Sequence, residues 1–150
     1  MLKIEIKTFN ELTIDLLYSL LQLRSEVFVV EQEIVYQDID GKDQKALHVL
    51  GFKDNQLIAY TRIFKPGDYF DKAAIGRVLV KENQRKFNYG KEIMNASIKA
   101  VEDYYRETSI KISAQKYLLK FYSDLGFKAY GEEYLEDTIP HMAMIRKENL

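Results

Sequence analysis

The sequence predicts an α/β protein: a mixed sheet with helices on both faces. Two observations carry this. Apolar residues alternate with polar ones in some segments and recur at three- and four-residue spacing in others, the marks of strands and of amphipathic helices. These segments run strand, helix, three strands, helix, strand, helix, two strands, without strict alternation, so the sheet is expected to be mixed. The 150 residues fit one domain, 1–150. A chain of that size buries about 68–70% of its unfolded surface, enough for a core without staples.

Leu2, Ile4 and Ile6 alternate with Lys3, Glu5 and Lys7, so residues 2–8 are a half-buried strand. Thr13 is the expected N-cap of a helix carrying Ile14, Leu17, Leu20, Leu21, Arg24, Val27 and Phe28 toward Glu31. Residues 33–46 are polar and acidic and read as a loop. Leu47 to Lys53 and Leu57 to Phe64 form strands joined by the turn pair Asp54-Asn55, and Lys65-Pro66-Gly67-Asp68 ends the second. Ile75 to Val80 is a short β-branched run, a buried strand. A basic loop, Lys81 to Tyr89, leads to a helix opened by Gly90, with Ile93, Met94, Ser97, Ile98 and Val101 on one stripe. Ser109 to Ala114 is a strand, and Tyr117 to Leu125 is a short helix stopped by Gly126. Phe127 to Tyr134 and Met142 to Arg146 are the last strands, joined by a loop holding Glu136, Asp137 and Pro140.

Composition excludes several functions. Hydrophobic residues make up 47% and charged residues 30%, which is globular. A net charge of -1 gives no reason to expect a general nucleic-acid binder. No cysteine is present, which removes disulfides, thiolate metal sites and a cysteine acyl-enzyme; a G-x-S-x-G elbow is also missing. No apolar run approaches the ~20 residues of a membrane span, and MLKIEIKTF alternates as a strand, not as a signal peptide. A cytoplasmic protein with no membrane partner is expected. DIDGKD is not a calcium loop: glycine is missing at loop position 6 and Val49 sits at position 12. His48 and His141 have no H-E-x-x-H spacing, so no metal is expected.

The stretch from Ala74 to Ala100 carries the chemistry. A strand feeding a loop that ends on a helix N-terminus presents amides without internal partners, at the positive end of the helix dipole. Lys81, Arg85, Lys86 and Lys91 surround that turn and suit a phosphate. The plain alternative is a solvated basic loop. The spacing matches neither a Walker A motif nor G-x-G-x-x-G.

Arg85-Lys86-Phe87-Asn88-Tyr89-Gly90 resembles the pyrophosphate loop Q/R-x-x-G-x-G/A of the GNAT superfamily of acyl-CoA-dependent N-acetyltransferases, with Asn88 at the first glycine. Asparagine tolerates positive φ better than most residues, so the turn can survive. LRSEVFVVEQ at 23–32, YQDIDGKD at 36–43, HVLG at 48–51, IGRVLV at 75–80, SAQKYLLKFYSDLGF at 113–127 and EEYLEDTIPHMAM at 132–144 resemble the ElaA-like branch, which usually has glycine where Thr138 stands.

The resemblance implies a GNAT-like acyl-CoA N-acyltransferase fold, α/β in the sense of a central mixed, mostly antiparallel sheet flanked by helices. It implies acetyl-CoA as co-substrate, with no metal. Backbone groups of Val78, Leu79 and Val80 would meet the pantetheine arm. Arg85 would open the pyrophosphate loop, and amides of Lys86, Phe87, Asn88, Tyr89, Gly90 and Lys91 would hold the phosphates. The thioester would lie where the strands at 75–80 and 109–114 diverge, and Tyr122 matches the tyrosine that protonates the leaving thiolate. The implied reaction is direct attack of an amine on acetyl-CoA in a ternary complex. The rival is a non-catalytic module that senses acyl-CoA on the same fold.

The acceptor is read from weaker signals. Glu31, Asp38 and Glu136, with Glu33, Asp40, Asp43 and Asp137, are candidates to receive a cationic amine; the alternative is solvated surface. His141, beside Glu136-Asp137, is a candidate base or substrate contact, or a structural residue. Arg24, on an apolar stripe near Glu31, reads as a buried ion pair or a substrate contact. Neither the acceptor's identity nor a homodimer is decided by the sequence.

Overall fold

The computed structural model describes residues 1–147, so the last three residues of the expected 1–150 domain lie outside the described residues. The alternating start forms β1 (Lys3–Thr8). Thr13 caps α1 (Ile14–Ser25), its hydroxyl oxygen accepting the Leu16 amide at 3.1 Å. The helix does not continue to Glu31 as α-helix: Glu26–Glu31 is a wider π-helical turn. Val27, Phe28, Val29 and Val30 put β-branched and aromatic side chains in succession, which an α-helix crowds.

Next come β2 (Leu47–Lys53) and β3 (Gln56–Phe64), a hairpin whose turn residues Asp54 and Asn55 both have positive φ, 51° and 65°. Then follow β4 (Ala73–Val80), α2 (Tyr89–Tyr105), β5 (Ile110–Gln115), α3 (Leu119–Ser123), β6 (Phe127–Glu136) and β7 (Ile139–Arg146). The loop expected around Glu136 and Pro140 is only the two-residue turn Asp137-Thr138, φ 49° and 68°. Pro140 fits inside β7 because the β5 ladder begins one residue later, at His141 opposite Gln115.

The strands make one sheet, ordered β1-β2-β3-β4-β5-β7-β6. Every pairing is antiparallel except β4 with β5. Alternation along β3 decides which helix covers which face. Ala59 and Ile63 pack in the core cluster of α2's Ile93, Met94 and Val101, while Tyr60 joins α1's Leu20 and Leu23. Thr61, also toward α2, hydrogen-bonds Ser97 at 2.6 Å, and the Ser97 hydroxyl donates to Ile93 O at 2.7 Å. Gly51 permits this close packing: a Cβ there would meet Leu2 Cδ1 at 3.0 Å and Ala59 Cβ at 3.1 Å.

The parallel seam is short. β4 and β5 pair only at Ala73–Ile110 and Ala74–Lys111, then part. A bulge on β4 helps turn it away: Tyr60 pairs with Leu79 and Arg62 with Gly76, so Arg77 and Val78 both oppose Thr61. Arg77 takes φ 50° to make that bulge. Among the described residues, no helix is long and apolar enough to cross a membrane.

Candidate active site

Where β4 and β5 separate, a cavity of about 610 Å³ opens between them. One wall carries Val78, Leu79 and Val80 of β4; the other carries Ile112, Ser113 and Gln115 of β5, with Phe121 and Tyr122 of α3. Among the described residues, β4 has no strand partner on its β5 side beyond Ala74, so its backbone groups there lack a ladder, and Val80 O is met by a side chain, Arg85, instead.

One end of the cavity meets the start of α2. Asn88 is the N-cap and sits in the left-handed region, φ 63°, as the resemblance required of the first glycine position. Its side chain does not cap the helix, unlike Thr13 at α1. The first intrahelical bond is Glu92 N–H to Asn88 O at 3.1 Å, which leaves the amides of Tyr89, Gly90 and Lys91 without a partner from the helix. The helix begins at Tyr89, one residue earlier than Gly90. Asn88, Tyr89, Gly90, Lys91, Arg85 and Lys86 all line the cavity. Phe87 does not; its half-exposed ring turns outward beneath Lys53, 4.8 Å from the ammonium. Arg85 folds back, Nε donating to Val80 O at 2.9 Å, while its two terminal nitrogens grip Glu31 at 2.6 and 2.9 Å.

Tyr122 lies on the α3 side of the cavity, buried, with its ring edge-on to Phe121 and Phe127. Its hydroxyl takes no hydrogen-bond partner among the described residues. Burial raises the phenol above its usual value, with the neighbouring Tyr117 adding to the shift, so the hydroxyl stays protonated at neutral pH.

Across β5 stands a polar cluster from β5, β6 and β7. His141 is buried and lines the cavity. Its Nδ1 lies 2.7 Å from Ile139 O, an acceptor only, so Nδ1 donates there. Nε2 faces Glu136 Oε2 at 3.4 Å. Glu136 Oε1 accepts the Ser113 hydroxyl at 3.3 Å, and Ser113 also bonds Tyr134, whose ring stacks on His141.

The acidic group splits, and Asp38 is a correction. Asp38 is buried away from the cavity wall, where Arg24 Nε donates to it at 2.9 Å and Arg77 Nε touches it at 2.7 Å. Asp43 accepts Arg24 at 2.7 Å and Arg62 at 2.9 Å, and Asp40 takes Arg62 in a two-pronged bond at 2.9 and 2.6 Å. Three carboxylates thus meet three guanidiniums under the 33–46 segment. Burial alone would raise Asp40 and Asp43; the arginines outweigh it and hold both below the usual carboxylate range. His48 completes the network, Nε2 donating to Asp43 O at 2.9 Å and Nδ1 accepting the Tyr60 hydroxyl at 2.6 Å. Burial keeps its pKa low and the ring neutral. Arg24 is therefore in a buried ion pair, but with Asp38 and Asp43 in place of Glu31.

The cavity therefore gathers Val78, Leu79, Val80, Arg85, Lys86, Asn88, Tyr89, Gly90, Lys91, Tyr122, His141, Glu31 and Glu136, and leaves out Phe87 and Asp38. Sequence reasoning missed Ile34, Tyr36, Tyr69 and Phe70, which line the cavity, the last three beside Arg77, Phe64 and Ala74 and so away from α2. A signal existed: Ile34, Tyr36 and Asp38 point inward while Val35, Gln37 and Ile39 point out, a period-two pattern inside the presumed loop.

Comparisons with known proteins agree with this geometry. A family model described as "Acetyltransferase (GNAT) domain" matches residues 10–148. Protein ElaA of Escherichia coli (strain K12) is 41% identical over 140 residues, covering 92% of each chain. The crystal structure of Escherichia coli ElaA superposes with TM-score 0.91 at 39% identity, over 98% of this chain and 100% of that one. An acyl-CoA N-acyltransferase from Pseudomonas aeruginosa gives TM-score 0.91 at 40% identity, over 97% of this chain and 99% of that one. With matches this extensive to sheet, seam and helix alike, the chain belongs to the GNAT acetyltransferase family of acyl-CoA N-acyltransferases, in its ElaA-like branch.

Proposed function

We propose that residues 1–150 form one N-acetyltransferase domain that moves acetyl from acetyl-CoA to an amine in a ternary complex. One observation carries this reading: a single cavity holds uncapped helix amides at one end, a β4 edge without a strand partner along its side, and the Tyr122 hydroxyl and the His141 ring on its walls. The pyrophosphate sits at the amides of Tyr89, Gly90 and Lys91, where donors and helix dipole favour an anion. The pantetheine arm lies along Val78 to Val80 and leads the thioester into the gap.

An amine with pKa near ~10 arrives mostly protonated. His141 Nε2 takes its proton, directly or through water, and the imidazolium that results faces Glu136. The free amine attacks the thioester carbonyl, an N–C bond forms, and the C–S bond breaks. The departing sulfur takes the Tyr122 proton, and the second proton shed by the acylated nitrogen returns to the Tyr122 phenolate through water. Burial makes Tyr122 a weaker acid than a free phenol, so its main effect is to stabilise negative charge developing on sulfur.

The sensing-module alternative would be favoured by a phosphate turn that Asn88 could not make or by a cavity without a candidate base. Asn88 adopts the needed left-handed conformation and His141 supplies a candidate base, so enzyme is favoured. Incubation with acetyl-CoA and a pool of amines should release free thiol, and Gly90→Asp should abolish it by placing negative charge against the phosphates. A Cβ at Gly90 meets only ordinary contacts, Phe121 Cζ at 3.5 Å being nearest, so the variant should fold. CoA binding with no thiol release from any amine would favour the sensing module.

A further inference from the structure

We infer that the acceptor is a primary monoamine with an aromatic body. The inference rests on the acyl-transfer reading and deepens it. Toward the β4–β5 seam, away from α2, the cavity is walled by Tyr36, Tyr69 and Phe70, which pack beside Arg77, Phe64 and Ala74. These rings are braced. Tyr69 stacks on Phe64 at 5.1 Å and meets Phe70 edge-on at 4.8 Å. The Tyr36 hydroxyl donates to Asp38 at 3.0 Å, tying that ring to the buried ion network. Rigid aromatic surface of this kind suits a flat apolar group, which it removes from water at low entropic cost.

Charge narrows the choice further. Of the carboxylates on the cavity wall, Glu31 is held by Arg85, which leaves Glu136 and Asp137 near His141. Asp38, Asp40 and Asp43 are spent on arginines and offer no locus for a second or third ammonium. A polyamine or a multiply charged sugar amine therefore finds one acidic locus and an apolar wall, where its remaining charges would be desolvated without partners. The guanidinium on this wall, Arg77, already contacts Asp38 and covers the Tyr36 ring at 5.6 Å, while Lys42 and Lys111 stand over the Tyr69 and Phe70 rings at 4.9 and 4.6 Å without lining the cavity. A single ammonium at Glu136 with an aromatic body against Tyr69 and Phe70 satisfies both halves.

The test titrates 2-phenylethylamine, butylamine and spermidine into the protein by calorimetry, with and without saturating CoA. Phenylethylamine should bind roughly tenfold or more tighter than butylamine, from ring burial alone, and tighter than spermidine. Tyr69→Ala should erase that preference and Tyr69→Phe should keep it; if Tyr69→Ala does not fold, Phe70→Leu replaces it. Equal affinities for phenylethylamine and butylamine, or tighter spermidine binding, would overturn the inference. CoA binding without phenylethylamine binding would sink this inference and leave acyl transfer standing. Phenylethylamine binding without CoA binding would do the reverse.

Discussion

Glu31 and Arg85 join across the cavity rim by two parallel contacts of 2.6 and 2.9 Å, linking the π-helical turn after α1 to the loop before α2. Arg85 thereby enters the phosphate end with its charge matched. The pairing raises the Arg85 pKa further, chiefly through the hydrogen bonds to Glu31.

Glu31→Gln should therefore strengthen CoA binding, by about two- to fivefold at low ionic strength, because it leaves Arg85 uncompensated beside the phosphates. The gain should shrink as salt rises and the Debye length falls. The amine KM should hardly move with Glu31→Gln, whereas Glu136→Gln should raise it. Calorimetric CoA titrations at two salt concentrations, with KM values for both substrates, check this. A raised amine KM in Glu31→Gln would return Glu31 to the acceptor site.

This pairing shows what the sequence makes legible and what it does not. The element order and the strand–loop–helix unit are local, written in periodicity and in loop residues 85–90. Thr13 announced its helix because a cap is a contact of three residues. The partners of charges are not local. Arg62 lies in the apolar run LIAYTRIF and Arg77 in IGRVLV, and a charge inside an apolar strand signals a buried pair without naming its partner. Only the fold brings them to Asp38, Asp40 and Asp43 across separations of 19 to 39 residues. Tyr69 and Phe70 were unreadable for the same reason, following a Pro-Gly break that reads simply as a turn.

The buried ion network sets the acid limit of the fold. Asp40 and Asp43 are depressed below the ordinary Asp value of 3.8, so the folded state binds fewer protons than the unfolded chain. Their contribution is fully present above that value and is lost as pH falls below it through the folded values. Melting temperature should be flat from neutral pH to about 5 and drop below about 4. Asp43→Asn should cost about 3–5 kcal/mol at pH 7, by leaving Arg24 and Arg62 short of a partner, and should flatten the acid decline. Circular-dichroism melts across pH check both; an unchanged decline in Asp43→Asn would place the acid-sensitive groups elsewhere.

Thr138 is a costlier departure from the branch pattern than its place in a loop suggested. It holds φ 68° in the Asp137-Thr138 turn, and a β-branched residue there is strained. Thr138→Gly should relieve that strain at some cost in unfolded-state entropy, for a net stabilisation of about 1 kcal/mol. That corresponds to a rise in melting temperature of roughly 2–4 °C for a chain of this length. Thr138→Ala, which keeps a Cβ at positive φ, should gain less. Equal effects from the two would mean the strain is absent.

Tyr122 carries the sharpest kinetic expectation. Its hydroxyl has no protein partner among the described residues and faces no competing acceptor, so Tyr122→Phe removes a donor without orphaning another group. The ring keeps its edge-on contacts with Phe121 and Phe127, so stability and CoA affinity should barely change. Turnover should fall by about 10²–10⁴, the span for a positioned acid–base group. The loss belongs in kcat, because the charge Tyr122 meets develops on sulfur only as the C–S bond breaks. Its raised pKa adds a pH signature: the wild type should show no alkaline decline from Tyr122 ionisation up to about pH 10, where a free phenol would be half ionised. A donor whose leaving thiol is more acidic needs less help, so the Tyr122→Phe deficit should shrink with such a donor. A general distortion of the cavity would slow both donors alike, and that result, or wild-type turnover in Tyr122→Phe, would leave water to protonate the thiolate.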